Sequence, residues 1–197
     1  MKTLKINSLK MKIQILLLII LFTSACAQSE KSSATNNNTE IKKTVNKPKV
    51  DIHTAIISGN LEMVKQHIKA GTDINKKEPM SGSTPLMSAT TFNKPEIAKV
   101  LIEAHANLSI KNNDGSTALH TAAFFGRIEI VQMLIDAKAD KTIRNNFGAT
   151  PRETVMGTFA EVKPIYEMLM LQLKPMGFVL DMNELKKARP VVAMMLQ

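Results

Sequence analysis

The sequence predicts an all-α fold in which the copies of a repeated unit stack into a solenoid. The first observation is a repeat: Gly82-Ser-Thr-Pro-Leu recurs 33 residues later as Gly115-Ser-Thr-Ala-Leu and, after 33 more, as Gly148-Ala-Thr-Pro-Arg. The second is composition, since 44% of the residues are hydrophobic and helix formers outnumber alternating β-branched runs. A unit of this length cannot bury its apolar face alone, so neighbouring units must stack.

The segment 1–26 has the layout of an export signal. Lys10 and Lys12 precede an apolar run at 13–22, which is shorter than the ~20 apolar residues of a membrane span. Small residues then precede Cys26, the single cysteine, and this resembles the lipobox of bacterial lipoproteins. The resemblance implies an exported, periplasmic protein, lipid-anchored to a bacterial membrane through Cys26. Thr23 departs from the usual Leu, and cleavage at Ala25-x-Ala27 would instead release a soluble periplasmic protein.

A polar segment, residues 27–48, separates this signal from the repeats. It is rich in Ser, Asn, Thr and Lys, and cannot bury enough apolar surface to offset the entropy of ordering. We expect a flexible tether with a reach of about 25 Å. The net charge of +9 includes four lysines in the first twelve residues, and the remaining charges are mixed along helical stretches. This favours a solvated surface over a nucleic-acid or anionic-lipid patch.

The repeated segments resemble the ankyrin repeat, and the third copy matches its pattern best. The resemblance implies helix-turn-helix units joined by short β-hairpin loops. The matching residues are Gly115, Thr117, Leu119, His120, Ala122, Ala123, Gly126, Glu129, Ile130, Val131, Leu134, Ile135, Ala139 and Asp140. The resemblance assigns residues 49–173 to four repeats: 49–81, 82–114, 115–147 and 148–173. Residues 174–197 are then a C-terminal capping segment, because a terminal repeat faces water on one side.

Local chemistry predicts where the helices of each repeat begin and end. Thr84 and Thr117 can cap a first helix with a hydroxyl, and Pro85 stands at a position where a missing N–H is harmless. Three residues are placed to end the first helix in a left-handed conformation: Gly59, Asn93 and Gly126. The family usually has Gly at the end of the second helix, where this chain has His105 and Lys138. Each would cost about 1 kcal/mol if left-handed.

The fourth copy departs from the pattern after Pro151. Pro164 falls where its second helix should start, so we expect a helix only over residues 165–173. Asp181 and Glu184 resemble a capping box that opens a short helix ending at Arg189. The apolar residues 191–196 are expected to pack on the last repeat, the alternative being a surface for a partner.

No catalytic, cofactor or metal motif stands out in the sequence. The resemblance makes His53 and His120 structural, bonding neighbouring backbone, and no histidine pair has the spacing of a zinc helix. There is neither a GxSxG nor a phosphate-binding glycine loop. We therefore expect no enzymatic activity, cofactor or small-molecule substrate, the competing reading being a hydrolase within 149–197.

The resemblance places a partner on the concave face, at the hairpin tips and the exposed ends of the first helices. The residues carried over are Ile57, Ser58, Met80, Ser81, Ser83, Thr91, Phe92, Asn113, Asp114, Ser116, Phe124, Phe125, Asn146, Phe147 and Ala149. Four are phenylalanines, which would form an exposed aromatic contact strip. The alternative is that some of them, Phe125 above all, pack between repeats.

The function implied is a non-enzymatic protein-binding scaffold in the bacterial envelope. Two versions remain open: an immunity or inhibitor protein against an envelope-acting enzyme or toxin, and an accessory to periplasmic stress defence. A remote alternative is binding of anionic lipid or nucleic acid, which would require a basic stripe on the repeats.

Overall fold

Eight α-helices follow one another in the computed structural model, which describes residues 47–197. Their bounds are α1 Ile52–Ile57, α2 Leu61–Lys69, α3 Pro85–Thr91, α4 Pro95–Glu103, α5 Ala118–Phe124, α6 Ile128–Asp136, α7 Phe159–Leu173 and α8 Met182–Met195. Two 3-10 turns, Glu153–Val155 and Lys174–Met176, flank α7. The predicted signal segment and nearly all of the tether lie outside the described residues. Within 47–197, none of the helices combines the length and apolarity needed to cross a membrane.

The first six helices form three antiparallel pairs that stack in two layers. The first helices α1, α3 and α5 pack on one another, and the second helices α2, α4 and α6 do the same. Ala55, Ala89 and Ala122 are fully buried between the first helices, where a small side chain permits close approach. The larger core residues include Val64, Leu86, Leu101, Leu119, Ile130 and Leu134. The all-α solenoid predicted from the repeat is confirmed.

The predicted helix starts are found where the sequence places them. The Thr84 hydroxyl accepts from Met87 N at 3.3 Å, with Pro85 as the first residue of α3. At α5, Thr117 N donates to His120 Nδ1 at 3.2 Å, so the N-terminal backbone is satisfied by a side chain. These caps explain why each first helix begins directly after its hairpin loop.

The predicted left-handed residues are also found. Asn93 has a φ of 51°, and Gly59 and Gly126 have φ values of 73° and 62°. His105 and Lys138 have φ values of 62° and 64°. Both non-glycine residues therefore end their second helices in a conformation that disfavours a side chain.

The fourth repeat differs from its prediction. Its first helix is reduced to the 3-10 turn Glu153–Val155, and α7 begins at Phe159, well before residue 165. The reason is a capping box in which Thr158 N donates to Glu161 Oε2 at 3.1 Å, which opens the helix ahead of Pro164. Pro164 is then an interior residue of α7, and its missing N–H leaves one carbonyl without its helical partner.

The capping helix α8 is longer than predicted. Asp181 is its N-cap, as expected, accepting from the backbone N–H groups of Asn183 and Glu184. The helix continues past Arg189 and through Pro190 to Met195. Val192 and Leu196 join the main core, and α8 packs against α5 and α6. Val192 and Leu196 therefore pack on the repeats, chiefly on the third and on the 3-10 turn of the fourth, whereas Val191 and Met194 remain exposed.

Candidate protein-interaction surface

The hairpin tips form a continuous hydrogen-bonded ladder. Each loop is closed by a backbone bond, such as Asn112 N to Ser116 O at 2.9 Å. Successive tips are joined by two more, Asn113 N to Ser81 O and Asn146 N to Asp114 O, both at 2.9 Å. The described residues contain no β-strand, so the loops lack the strands of the predicted β-hairpins and are held together by these backbone hydrogen bonds instead. The tips are held at fixed spacing along the stack.

Asparagine side chains brace this ladder in two ways. The amide Nδ2 of Asn113 donates to Met80 O at 3.1 Å, and that of Asn146 donates to Asn113 O at 2.9 Å. Inside its own loop, Asn112 Oδ1 accepts from two backbone N–H groups at 3.0 and 2.9 Å. Asn145 does the same in the next loop. The sequence signal was a pair of adjacent asparagines repeated after 33 residues.

In the first loop a glutamate replaces the bracing asparagine. The Glu78 carboxylate accepts from Met80 N and Ser81 N, each at 2.7 Å, and from Ser83 N at 3.1 Å. Partial burial acts to raise the pKa of Glu78, but hydrogen bonds from the Ser81 hydroxyl and these N–H groups outweigh it, so the pKa is lowered. Glu78 is thus a structural carboxylate, which sequence reasoning missed.

The exposed side chains of the ladder are the accessible part of the predicted site. Met80 is 60% exposed and Phe147 is 37% exposed, which is high for large apolar residues. Asp114 lies between them along the ladder, and within residues 47–197 it makes no ion pair. Neighbouring protein atoms desolvate its carboxylate and raise its pKa, although the residue remains exposed. Ser81, Asn113 and Asn146 are also exposed, whereas Ser83 and Ser116 are half-buried and Ala149 is buried.

The predicted contact residues at the ends of the first two helices of this layer, α1 and α3, add little to this surface. Ile57 is half-buried, and the exposed Ser58 directs its hydroxyl back to Thr54 O at 2.9 Å. Thr91, at the end of α3, is half-buried and its carbonyl accepts from Arg127 Nη2 at 3.2 Å. These residues are thus engaged within the chain.

Three of the four phenylalanines of the predicted aromatic strip are not exposed, and this corrects the sequence interpretation; only Phe147, at the tips, is exposed. Phe125 is only 7% exposed, and Phe92 and Phe124 are half-buried. The C-terminal segment covers them: the Phe178 ring lies 6.1 Å from that of Phe92 and 5.4 Å from that of Phe125. Apolar side chains of the C-terminal segment pack against these three rings, because this contact removes apolar surface of both from water.

The floor of this covered region holds one tyrosine. Tyr166 of α7 is fully buried, and its ring lies 4.6 Å from that of Phe124. Its hydroxyl donates to Phe124 O at 2.6 Å and accepts from Arg189 Nη1 at 3.1 Å. Burial raises the pKa of Tyr166 to about 12, so the hydroxyl stays protonated.

The repeat histidines have the structural role that the resemblance implies. His53 Nε2 lies 3.1 Å from Lys76 O, and His120 Nε2 donates to Ala149 O at 3.0 Å. Each bond ties a first helix to the hairpin loop that follows. Burial lowers the pKa of His120, so the neutral ring is favoured. Among residues 47–197, no three His, Cys, Asp or Glu side chains cluster as metal ligands.

Stacked helix pairs with a rigid row of loop tips define a repeat protein built for protein interaction. Residues 52–145 match the family model described as ankyrin repeats in three copies, and this part of the chain is built of ankyrin repeats. The human and mouse proteins named protein phosphatase 1 regulatory subunit 27 are each 42% identical over 63 residues, which are 32% of this chain. The chain spans 40% of the length of those relatives.

A solved structure gives the same result for the fold. The ankyrin repeat domain of Bcl-3, described as a unique member of the IkappaB protein family, superposes with a TM-score of 0.52 at 26% sequence identity. The match covers 58% of this chain and 50% of that one. Together with the family match, it supports a protein-interaction scaffold as the general class of function.

Proposed function

We propose that this chain is a non-enzymatic scaffold of the bacterial cell envelope that holds a partner protein against its hairpin tips, on the concave face. The observation that carries the proposal is the braced ladder of tips, which keeps exposed side chains in a fixed row. A surface ordered before binding loses little entropy when a partner docks, which favours affinity.

The chemistry of the row suggests what the partner presents. Exposed Met80 and Phe147 offer apolar contact on either side of the Asp114 carboxylate. An exposed carboxylate that forms no ion pair among residues 47–197 is a ready acceptor for an arginine or lysine. The partner surface would therefore carry a basic residue with apolar neighbours. The acid at the centre of the row disfavours nucleic acid or anionic lipid as the ligand.

Location in the envelope rests on residues 1–48. We propose that the chain is exported, carries lipid on Cys26 and stands off the membrane on the 27–48 tether. Growth with an alkyne-tagged fatty acid tests this, comparing the full chain with its Cys26→Ser variant. Label and membrane sedimentation lost in the variant would support the anchor, whereas a soluble, unlabelled wild-type chain would favour simple periplasmic export.

The partner itself falls into one of two groups. It is an envelope-acting enzyme or toxin that the scaffold inhibits, or a protein of periplasmic stress defence that it assists. The relatives named as phosphatase regulatory subunits favour the first group, because their name describes a protein that acts on an enzyme.

A matched pull-down tests the binding face. The full chain, a tip variant (Met80→Ser, Asp114→Ala, Phe147→Ser) and a second-helix variant (Lys99→Ser, Gln132→Ser) are immobilised and exposed to envelope extract. Both sets of positions are exposed, so neither variant opens the core. A protein retained by the wild type and the second-helix variant but lost by the tip variant supports the proposal. Equal retention by all three would refute the tips as the binding face.

A further inference from the structure

The aromatic cluster covered by the C-terminal segment has the construction of a binding groove. We call it the tyrosine groove; its lining is Phe124, Phe125, Phe178 and Arg189. It lies at the end of α5 opposite the hairpin loop that precedes α5, so it is separate from the ladder of tips. Its polar groups, the Phe124 carbonyl and the Arg189 guanidinium, both engage the Tyr166 hydroxyl. Neither of these two groups belongs to α7, because Phe124 is part of α5 and Arg189 is part of α8.

The occupant, α7, is held by one fully buried side chain, and its other apolar contacts with the aromatic cluster are only half-buried. Tyr166 is the only buried residue among Phe159–Leu173, and Leu171 is 74% exposed. The rings around Tyr166 form a cluster distinct from the main core, whereas Val192 of α8 is part of that core. Loss of α7 would therefore leave the packing of the repeats intact.

The ends of α7 also suit detachment. Gly157 precedes it and Gly177 follows it, both exposed, and Gly177 has a φ of 78°. Glycine tolerates the backbone changes that a hinge requires. Pro164 deprives α7 of one internal hydrogen bond, which weakens the helix itself. The glycine at each end distinguishes α7 from α8, whereas an interior proline does not, because α8 contains Pro190.

We propose that α7 is a displaceable internal ligand of the tyrosine groove. When α7 is displaced, the groove binds a helix of a partner protein that carries a tyrosine with an aromatic residue seven positions before it. In α7 this pair is Phe159 and Tyr166, whose rings stack with centroids 6.3 Å apart. A tyrosine from another helix would find the same carbonyl acceptor and the same guanidinium donor. Arg189 favours such an occupant, because its Nη2 is held by the Gly157 carbonyl at 2.9 Å while its buried Nη1 depends on the hydroxyl in the groove for an oxygen acceptor. Binding at the tyrosine groove depends neither on the partner of the hairpin tips nor on export.

The chain's own segment is the probe that tests this. A fluorescein-labelled peptide of residues 157–177 is titrated into the full chain, its Tyr166→Ala variant and the matched control Leu171→Ala. The expected result is binding to Tyr166→Ala that is tighter than to wild type by roughly tenfold or more, since a closed groove lowers apparent affinity by its open fraction. Leu171→Ala should behave as wild type, and a peptide with its own tyrosine changed to Ala should not bind.

Hydrogen exchange of the backbone amides on the same samples shows whether α7 opens and whether the repeats of the variant remain folded. In the wild type, amides of α7 should exchange faster than those of α8, and Tyr166→Ala should leave α1 to α6 protected. Any one of three results would overturn the proposal. The first is equal protection of α7 and α8, and the second is lost protection of α5 in Tyr166→Ala. The third is peptide binding that is absent, or that is equal in wild type and Tyr166→Ala.

Discussion

Replacing His105 and Lys138 by glycine should stabilise the protein. Both end a second helix with positive φ, at 62° and 64°, where Gly71 occupies the equivalent position of the first repeat with a φ of 69°. Both side chains are exposed, and within residues 47–197 neither makes a hydrogen bond or ion pair, so little contact is lost on substitution. The left-handed backbone is the property that the substitution relieves.

The magnitude follows from two opposing effects. A side chain in the left-handed region costs about 1–2 kcal/mol, and a glycine adds about 0.5–1 kcal/mol of unfolded-state entropy. The net gain is about 0.5–1 kcal/mol per site, and sites in different repeats should add. The double variant should therefore gain about 1–2 kcal/mol, which is roughly 2–8 °C in Tm for a domain of this size.

Urea denaturation followed by circular dichroism measures this, with Gly71→Ala as the mirror control. A Cβ added to Gly71 meets no atom within 4 Å, so its effect reports backbone strain alone. That variant should lose about 1 kcal/mol. A lower midpoint for His105→Gly or Lys138→Gly, or no loss in Gly71→Ala, would refute the reasoning from backbone strain.

Three further predictions concern the ladder and the core. Gly115→Ala should lose more stability than Gly71→Ala in urea, because its Cβ would clash with Asn146 Oδ1 and lie 2.8 Å from Asn146 N, in addition to the strained φ; equal losses would contradict the ladder. Burial lowers the pKa of His120 below 6.5, so the unfolded chain binds a proton more readily and stability falls as pH drops below that value. The Tm of His120→Asn should consequently change less than that of wild type between about pH 7 and about pH 5, and parallel Tm curves would contradict this. Leu134→Ala, at a fully buried position, should cost about 2–5 kcal/mol in urea, and a loss below about 1 kcal/mol would contradict the core assignment.

The repeats could be predicted from sequence because their determinants are local and recur. A threonine or aspartate before each first helix and a left-handed residue after it act within a few positions of the chain. The period of 33 residues then places these signals in register, so stacking follows without knowledge of any long-range contact.

The C-terminal segment could not be predicted in the same way. The burial of Phe125 depends on its contact with Phe178, which is more than 50 residues away and which the repeat period does not predict. The start of α7 differs from the predicted residue 165 because the Thr158–Glu161 capping box, which the prediction did not use, opens the helix ahead of Pro164. A proline within a helix removes one hydrogen bond, which tertiary packing of Tyr166 can offset.

The bracing side chains of the tips lie between these two cases. Asn113 and Asn146 were predicted as partner contacts, and both are exposed. They also donate to the neighbouring tip, so they build the surface as well as belonging to it. A single sequence shows the recurrence of these asparagines but not the direction of their amides.

Photo-crosslinking in cells is the most direct test of the central claim that the hairpin tips bind a partner. A photoreactive phenylalanine is placed at Phe147 on the tips or at Gln132 on the second-helix layer, both exposed positions. The account predicts one discrete adduct from position 147 that is absent from position 132 and is lost when Asp114→Ala is added. An adduct from position 132 alone, or the same adduct from both positions, would contradict it.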